Sequence, residues 1–271
     1  MNANPETIPL HAELLGDRDR PALVVMHGML GSRRNWASMA RQLSEYFAVW
    51  TLDLRNHGAS GHSPEMSYPV MARDLGAFLA REAISQPLLM GHSMGGKVAM
   101  RYTVDHPESV AGLVVVDISP KAYPPRWEHE FAVLRALDLT TLASRGEAEE
   151  RLASDIPDWA FRKFLTTNLV RDPASKAFVW AVNLEALQAA LPQLFREGVC
   201  PPDRFAGPTL FVRGGRSRFV SADDFPRIRE IFPHAVLETI AEAGHNVHFD
   251  RPEAFAECLK GWMERNKLMA S

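Results

Sequence analysis

Pro87-Leu-Leu-Met-Gly-His-Ser93-Met-Gly-Gly-Lys97 joins a short apolar run to a helical one through a Gly-x-Ser-x-Gly turn, and its reading decides the fold. Pro87 to Gly91 has the form of a strand buried on both faces, and Gly95 to Asp105 reads as the helix that follows. A serine between two such elements sits on a sharp turn, where glycines allow neighbouring backbone to approach closely. The bare five-residue pattern is weakly specific. Its placement after a strand and before a helix gives it weight.

Outward from this turn the chain alternates strands with helices, which argues for a mainly parallel sheet covered on both sides. Pro21-Ala-Leu-Val-Val-Met-His-Gly28, Ala48-Val-Trp-Thr-Leu-Asp53 and Val110-Ala-Gly-Leu-Val-Val-Val-Asp117 read as further strands. Helical patterns fall around Trp36 to Phe47 and Met71 to Glu82. From about Lys121 to Pro202 the strand signal stops, and apolar residues recur at helical spacing, as in Phe131, Leu134, Leu137 and Phe161, Phe164, Leu165, Leu169. Strands return at Pro208-Thr-Leu-Phe-Val-Arg-Gly-Gly215 and Ala235-Val-Leu-Glu-Thr-Ile240, ahead of a closing helix from Pro252. The expected organisation is one α/β core formed by residues 1–120 and 203–271, with residues 121–202 inserted as an all-helical cap after the strand ending at Asp117.

Composition narrows the partners. The 271 residues are 46% hydrophobic and 23% charged, values ordinary for a globular chain, and the formal net charge is −3. There is no basic cluster interleaved with aromatics to hold a nucleic acid. No apolar run approaches the roughly 20 residues needed to span a bilayer, and the N-terminal stretch lacks an export signal, so no membrane insertion and a cytoplasmic location are expected. Cys200 and Cys258 have neither disulfide-framework nor metal-ligand spacing and read as reduced thiols.

A serine hydroxyl on such a turn needs a base to become a nucleophile. Where this turn carries catalysis, the histidine comes last in the chain, after the final strand, and Ala243-Gly-His245 stands there. His248 is the nearest rival and reads as a supporting residue. For the acid, the turn Gly214-Gly-Arg-Ser217 offers no carboxylate, and Asp223 and Asp224 are explained by a capping box opening at Ser221. Asp117, at the carboxyl edge of the strand beside that of Ser93, is the better candidate. The backbone N–H groups of Met94 and of Met29, in His27-Gly28-Met29-Leu30-Gly31, are placed to form an oxyanion hole. Asp53-Leu-Arg-Asn-His57-Gly58 reads as a set of loop ties. Trp127, Trp159 and Trp180 read mainly as helix-packing residues, while the cap as a whole would supply an apolar pocket.

These pieces together, with Met71-Ala-Arg-Asp-Leu75, Gly91-His-Ser-Met-Gly-Gly-Lys97 and Val116-Asp-Ile-Ser-Pro120, resemble the α/β-hydrolase superfamily. Within it they are similar to the small-cap esterases of the YbfF and ABHD11 type. The resemblance implies Ser93 as nucleophile, His245 as base, Asp117 as acid, small-molecule ester or acyl-thioester substrates, and no cofactor or metal. Asn246 departs from the pattern, because relatives often carry an aromatic residue just after the histidine. Carbon–carbon bond hydrolysis or lyase chemistry, and a non-catalytic ligand receptor, are compatible with the same scaffold. Oligomeric state and physiological substrate are not encoded in any motif.

Overall fold

The computed structural model describes residues 6–269. Its main sheet has seven strands in the order β1-β3-β2-β4-β5-β8-β9. These are β1 (Ala12–Leu15), β2 (Ala22–Met26), β3 (Ala48–Leu52), β4 (Leu88–His92), β5 (Gly112–Val116), β8 (Thr209–Gly214) and β9 (Ala235–Ile240). Every pairing is parallel except that of the edge strand β1 with β3.

Side chains along each inner strand are apolar without a break because both faces are covered. Leu23 and Val25 of β2 belong to one core layer, Val24 and Met26 to the other. The first layer is closed by α1 (Ala37–Leu43) and the C-terminal helix α10 (Pro252–Arg265), through Met39, Leu43, Phe255, Leu259 and Trp262. The second is closed by α2 (Tyr68–Arg81), α3 (Met94–Asp105) and α8 (Phe225–Ile231), through Leu75, Phe78, Val98, Met100 and Ile228. Burying each such side chain contributes about 1.5–3 kcal/mol.

The segment between β5 and β8 holds four helices: α4 (Glu128–Ala136), α5 (Arg145–Arg151), α6 (Trp159–Thr166) and α7 (Leu184–Leu194). It is not all-helical. Leu169–Arg171 (β6) and Phe178–Trp180 (β7) pair antiparallel around a turn in which the Asp172 carboxylate accepts the backbone N–H groups of Ala174 and Ser175. Three residues per strand are too few to display a two-residue alternation. Leu169, grouped by spacing with the preceding helix, in fact begins β6 after α6 has ended at Thr166. Phe131, Leu134 and Leu165 of this segment share one continuous apolar layer with α2 and α3. The edge strand β1 carries no sequence signal, since its four residues, three half-buried and Glu13 exposed, form no apolar run.

Among the described residues no helix is long and apolar enough to cross a membrane, and both cysteines are free thiols.

Candidate active site

Ser93 stands between β4 and α3 with φ 52° and ψ −119°, a conformation that non-glycine residues rarely adopt. Two features hold it there. Its N–H donates to Val116 O at 3.0 Å, and a Cβ at Gly91 would lie 2.2 Å from Gly95 O, so the turn closes only around glycine. The strained turn thrusts the serine out at the carboxyl edge of the sheet.

Asp117, one strand over, is fully buried at the end of β5. Its Oδ1 accepts the Gly214 N–H at 3.0 Å, while Oδ2 accepts the Ser217 hydroxyl and, at 2.7 Å, His245 Nδ1. Three donors therefore satisfy a carboxylate that burial alone would strongly disfavour. With Nδ1 engaged, Nε2 is the ring nitrogen left to His245 for the cavity that it lines together with Ser93.

The imidazole is held from two further directions. Phe219 lies flat against it, ring centroids 3.9 Å apart and planes 19° apart. His92 Nε2–H donates to His245 O at 2.9 Å, and burial holds the His92 ring well below the ordinary histidine pKa, so it acts as a neutral strut. His248 is packed face to face on Trp36 with centroids 3.9 Å apart, and burial drives its pKa down to about 3. That places His248 as a neutral wall residue, in keeping with its reading as a supporting group.

The loop His27–Gly31 runs against the serine: a Cβ on Gly28 would lie 3.2 Å from Ser93 Cβ. Two buried histidines fix it. His27 Nδ1–H donates to Gly28 O at 2.7 Å and its Nε2 accepts from Leu54 N–H; His57 Nδ1–H donates to Arg55 O and its Nε2 accepts from Leu30 N–H at 3.2 Å. Burial lowers the pKa of His27 to about 4 and of His57 to about 3, which keeps both able to accept. Asn168 adds a bond to Leu30 O at 2.7 Å from the β5–β8 segment. Met29 lines the cavity at the tip of this loop, and Met94 is the first residue of α3, where the N–H has no acceptor within the helix.

The Asp53–Gly58 stretch ties loops, as its sequence suggests. Arg55 makes a bidentate, fully buried pair with Asp74 at 2.7 and 2.8 Å, and Asp53 accepts from Arg33 N–H and Ala59 N–H. Asp224 caps its own turn through Ser221 and pairs with Lys121, and Asp223, two positions beyond Ser221 in the same turn, is not among the residues lining the cavity.

The cavity encloses about 690 Å³. Its lining divides by element. Trp127, Trp159, Phe161 and Phe164, with Asp158 and Lys163, come from the β5–β8 segment, whereas Asn35 and Trp36 come from the turn before α1, and Asn246, Phe249 and Asp250 from the short helix α9 (Val247–Asp250) and the residue that precedes it. Two of the three tryptophans thus face the cavity, and Trp180 instead packs beside Leu142 and Phe178. Ser217, Phe219 and His92 were not anticipated as site residues. Ser217 had one signal: it occupies the turn after β8 where many relatives of this fold place their acid.

A serine on a strained strand-to-helix turn and a carboxylate–imidazole pair share one cavity, an arrangement typical of one class of enzyme, and the sequence comparison agrees. Residues 21–252 match the family described as the alpha/beta hydrolase fold, and the chain belongs to that family. It is 37% identical over 274 residues to the sn-1-specific diacylglycerol lipase ABHD11 of Mus musculus, covering 97% of this chain and 87% of that one. It is 31% identical over 242 residues to the esterase YbfF of Escherichia coli, covering 89% and 92%. Among solved structures, a marine microorganism esterase superposes with a TM-score of 0.91 at 33% identity, covering 94% of this chain and all of the other. The family to which these similarities assign the chain is thus one of hydrolases of the esterase and lipase kind.

Proposed function

We propose that the chain is a carboxylic ester hydrolase that works through an acyl-enzyme on Ser93. The observation that carries this reading is the 2.7 Å contact between His245 Nδ1 and buried Asp117 at the wall of the cavity that Ser93 lines. With Nδ1–H donated to the carboxylate, Nε2 is the basic nitrogen that takes the Ser93 proton as the hydroxyl oxygen attacks the ester carbonyl. The Met29 and Met94 N–H groups hold the oxyanion. His245 then passes the proton to the departing alcohol, and in the second half it activates water against the acyl-serine. Asp117 keeps the imidazole in one tautomer and balances its transient charge.

Residues 121–202 act as a cap whose aromatic side chains receive an apolar acyl group. The alcohol lies toward Asn35, Asn246 and Asp250, groups suited to hydrogen-bonding hydroxyls rather than to an anionic carrier. Relatives named for diacylglycerol and for esters favour the same choice, oxygen esters of a hydroxylated alcohol ahead of acyl thioesters.

Two measurements test this. Ser93→Ala should abolish fluorophosphonate labelling and lower p-nitrophenyl ester turnover by roughly 10⁴-fold or more; turnover kept by that variant rejects the mechanism. A kcat/KM series over acyl length, run with glycerol esters and with CoA thioesters, tests the substrate. Preference for the thioesters would overturn the choice of leaving group.

A further inference from the structure

Lys97 lines the cavity but has no part in the chemistry above. It lies one turn beyond Ser93 on α3, and its side chain is buried. Its Nζ donates to Lys121 O at 2.9 Å and to Arg196 O, and so joins the chain leaving β5 to the chain returning from α7. The same two passages meet where Tyr123 N–H donates to Phe195 O at 2.7 Å and Gly198 N–H to Pro120 O at 3.3 Å. Tyr68 of α2 adds its hydroxyl to Leu194 O at 2.6 Å. The rings of Tyr123 and Tyr68 sit 4.9 and 5.5 Å from Nζ, and a Cβ at Gly198 would touch the Lys97 stem at 3.1 Å.

This geometry has a mechanical consequence. The helix that presents the nucleophile also grips both ends of the segment that carries Trp127, Phe161 and Phe164. We propose that Lys97 is a positioning residue that sets the height of this aromatic wall above Ser93 and thereby the length of acyl chain the enzyme accepts. A short acyl group ends before the wall and is indifferent to its height, whereas a long one must pack on it. The inference rests on the ester-hydrolase reading.

The grip also depends on charge. An ammonium donates more strongly than an amine, and burial pushes the Lys97 pKa down to about 7. The groups facing it are the Tyr68 and Tyr123 phenols, which burial keeps neutral, Glu197, which is paired with Arg227, and Lys121, which is paired with Asp224. None of these places a carboxylate on Nζ.

The test compares p-nitrophenyl decanoate with p-nitrophenyl acetate as a ratio of kcat/KM, which cancels effects on the shared chemistry. Lys97→Met should lower the decanoate-to-acetate ratio by about tenfold or more, chiefly through KM for decanoate, since tenfold is the effect of losing one charged-donor bond at the low end of its range. Lys97→Arg should restore most of it. In the unsubstituted enzyme the ratio should fall as pH rises from about 6 to about 9, and in Lys97→Arg it should stay level. If Lys97→Met does not fold, Tyr68→Phe, which removes only the bond to Leu194 O, should shift the ratio in the same direction. A ratio unmoved by Lys97→Met, or by Tyr68→Phe where that variant stands in, overturns the assignment. So does one that does not fall with pH in the unsubstituted enzyme, or that falls equally in Lys97→Arg. Ester turnover that survives Ser93→Ala would instead remove the reading beneath it, so the two failures are distinct.

Discussion

Asp117 Oδ2 and His245 Nδ1 meet at 2.7 Å although 128 residues separate them in the chain. The carboxylate has no exposure to solvent, so its partner decides both the tautomer and the tilt of the imidazole. Asp117→Asn keeps the shape but offers Nδ1 no anion, and kcat should drop by about 10³- to 10⁴-fold with KM nearly unchanged. Steady-state kinetics on a short ester checks this. Asp223→Asn serves as the control, and a larger loss there than at Asp117 would relocate the acid.

Ser217 donates to the same oxygen that holds His245, and its Oγ also accepts the Phe219 N–H at 3.2 Å. Ser217→Ala removes both links, loosening the carboxylate and the ring stacked on the imidazole. We expect kcat to fall by about tenfold, the effect of one lost charged hydrogen bond, and Ser217→Thr to recover much of it. Equal activity in the alanine variant would show that Gly214 N–H and His245 suffice to hold Asp117.

The Arg55–Asp74 pair predicts a stability effect away from the chemistry. Arg55 also donates to Glu65 O at 3.0 Å and to Glu6 O at 2.8 Å, so it ties two loop segments to α2. Arg55→Met takes the buried Asp74 carboxylate's ion-pair partner away, leaving it the Ile8 N–H, and should cost about 3–5 kcal/mol. The urea unfolding midpoint reads this directly. Arg55→Met/Asp74→Leu should regain most of the loss, because no uncompensated charge is left.

Acid should unfold the protein through its buried histidines. His27, His57, His92 and His248 are all held neutral by burial, with pKa values of about 4 for His27 and about 3 for His57 and His248. Their unfolded value is about 6.5, so the unfolded chain binds more protons below that pH. The stability they contribute is complete above about pH 6.5 and is lost as pH falls toward the folded values, at up to about 1.4 kcal/mol per unit for each group. The urea midpoint should therefore decline steeply between about pH 6.5 and about pH 5. A level midpoint over that window would mean that these rings take up protons without unfolding.

Much of this architecture was legible from residue order. The parallel strands announce themselves because both faces of each are covered, and the Ser93 turn because only glycine tolerates its closure. Asp117 could be singled out because a carboxylate ending a run of valines must find a donor. What escaped notice has physical reasons too. The β6–β7 pair is too short for periodicity to register, and β1 is an edge with one thin apolar face. Ser217 and Phe219 act through a loop whose composition is unremarkable, and their significance appears only when that loop folds back onto β5. The grip of Lys97 is aimed at backbone carbonyls, which leave no mark in a sequence.

The carboxylate at the end of β5 has one more implication. Ser93 and Asp117 follow adjoining strands, both ahead of the long excursion from β5 to β8, and His245 arrives from beyond it. Lengthening, shortening or replacing that excursion leaves the spacing of the first two groups intact. A foreign segment grafted between residues 120 and 198 should therefore keep that pair in place, provided that it restores the hydrogen bond that Asn168 donates to Leu30 O.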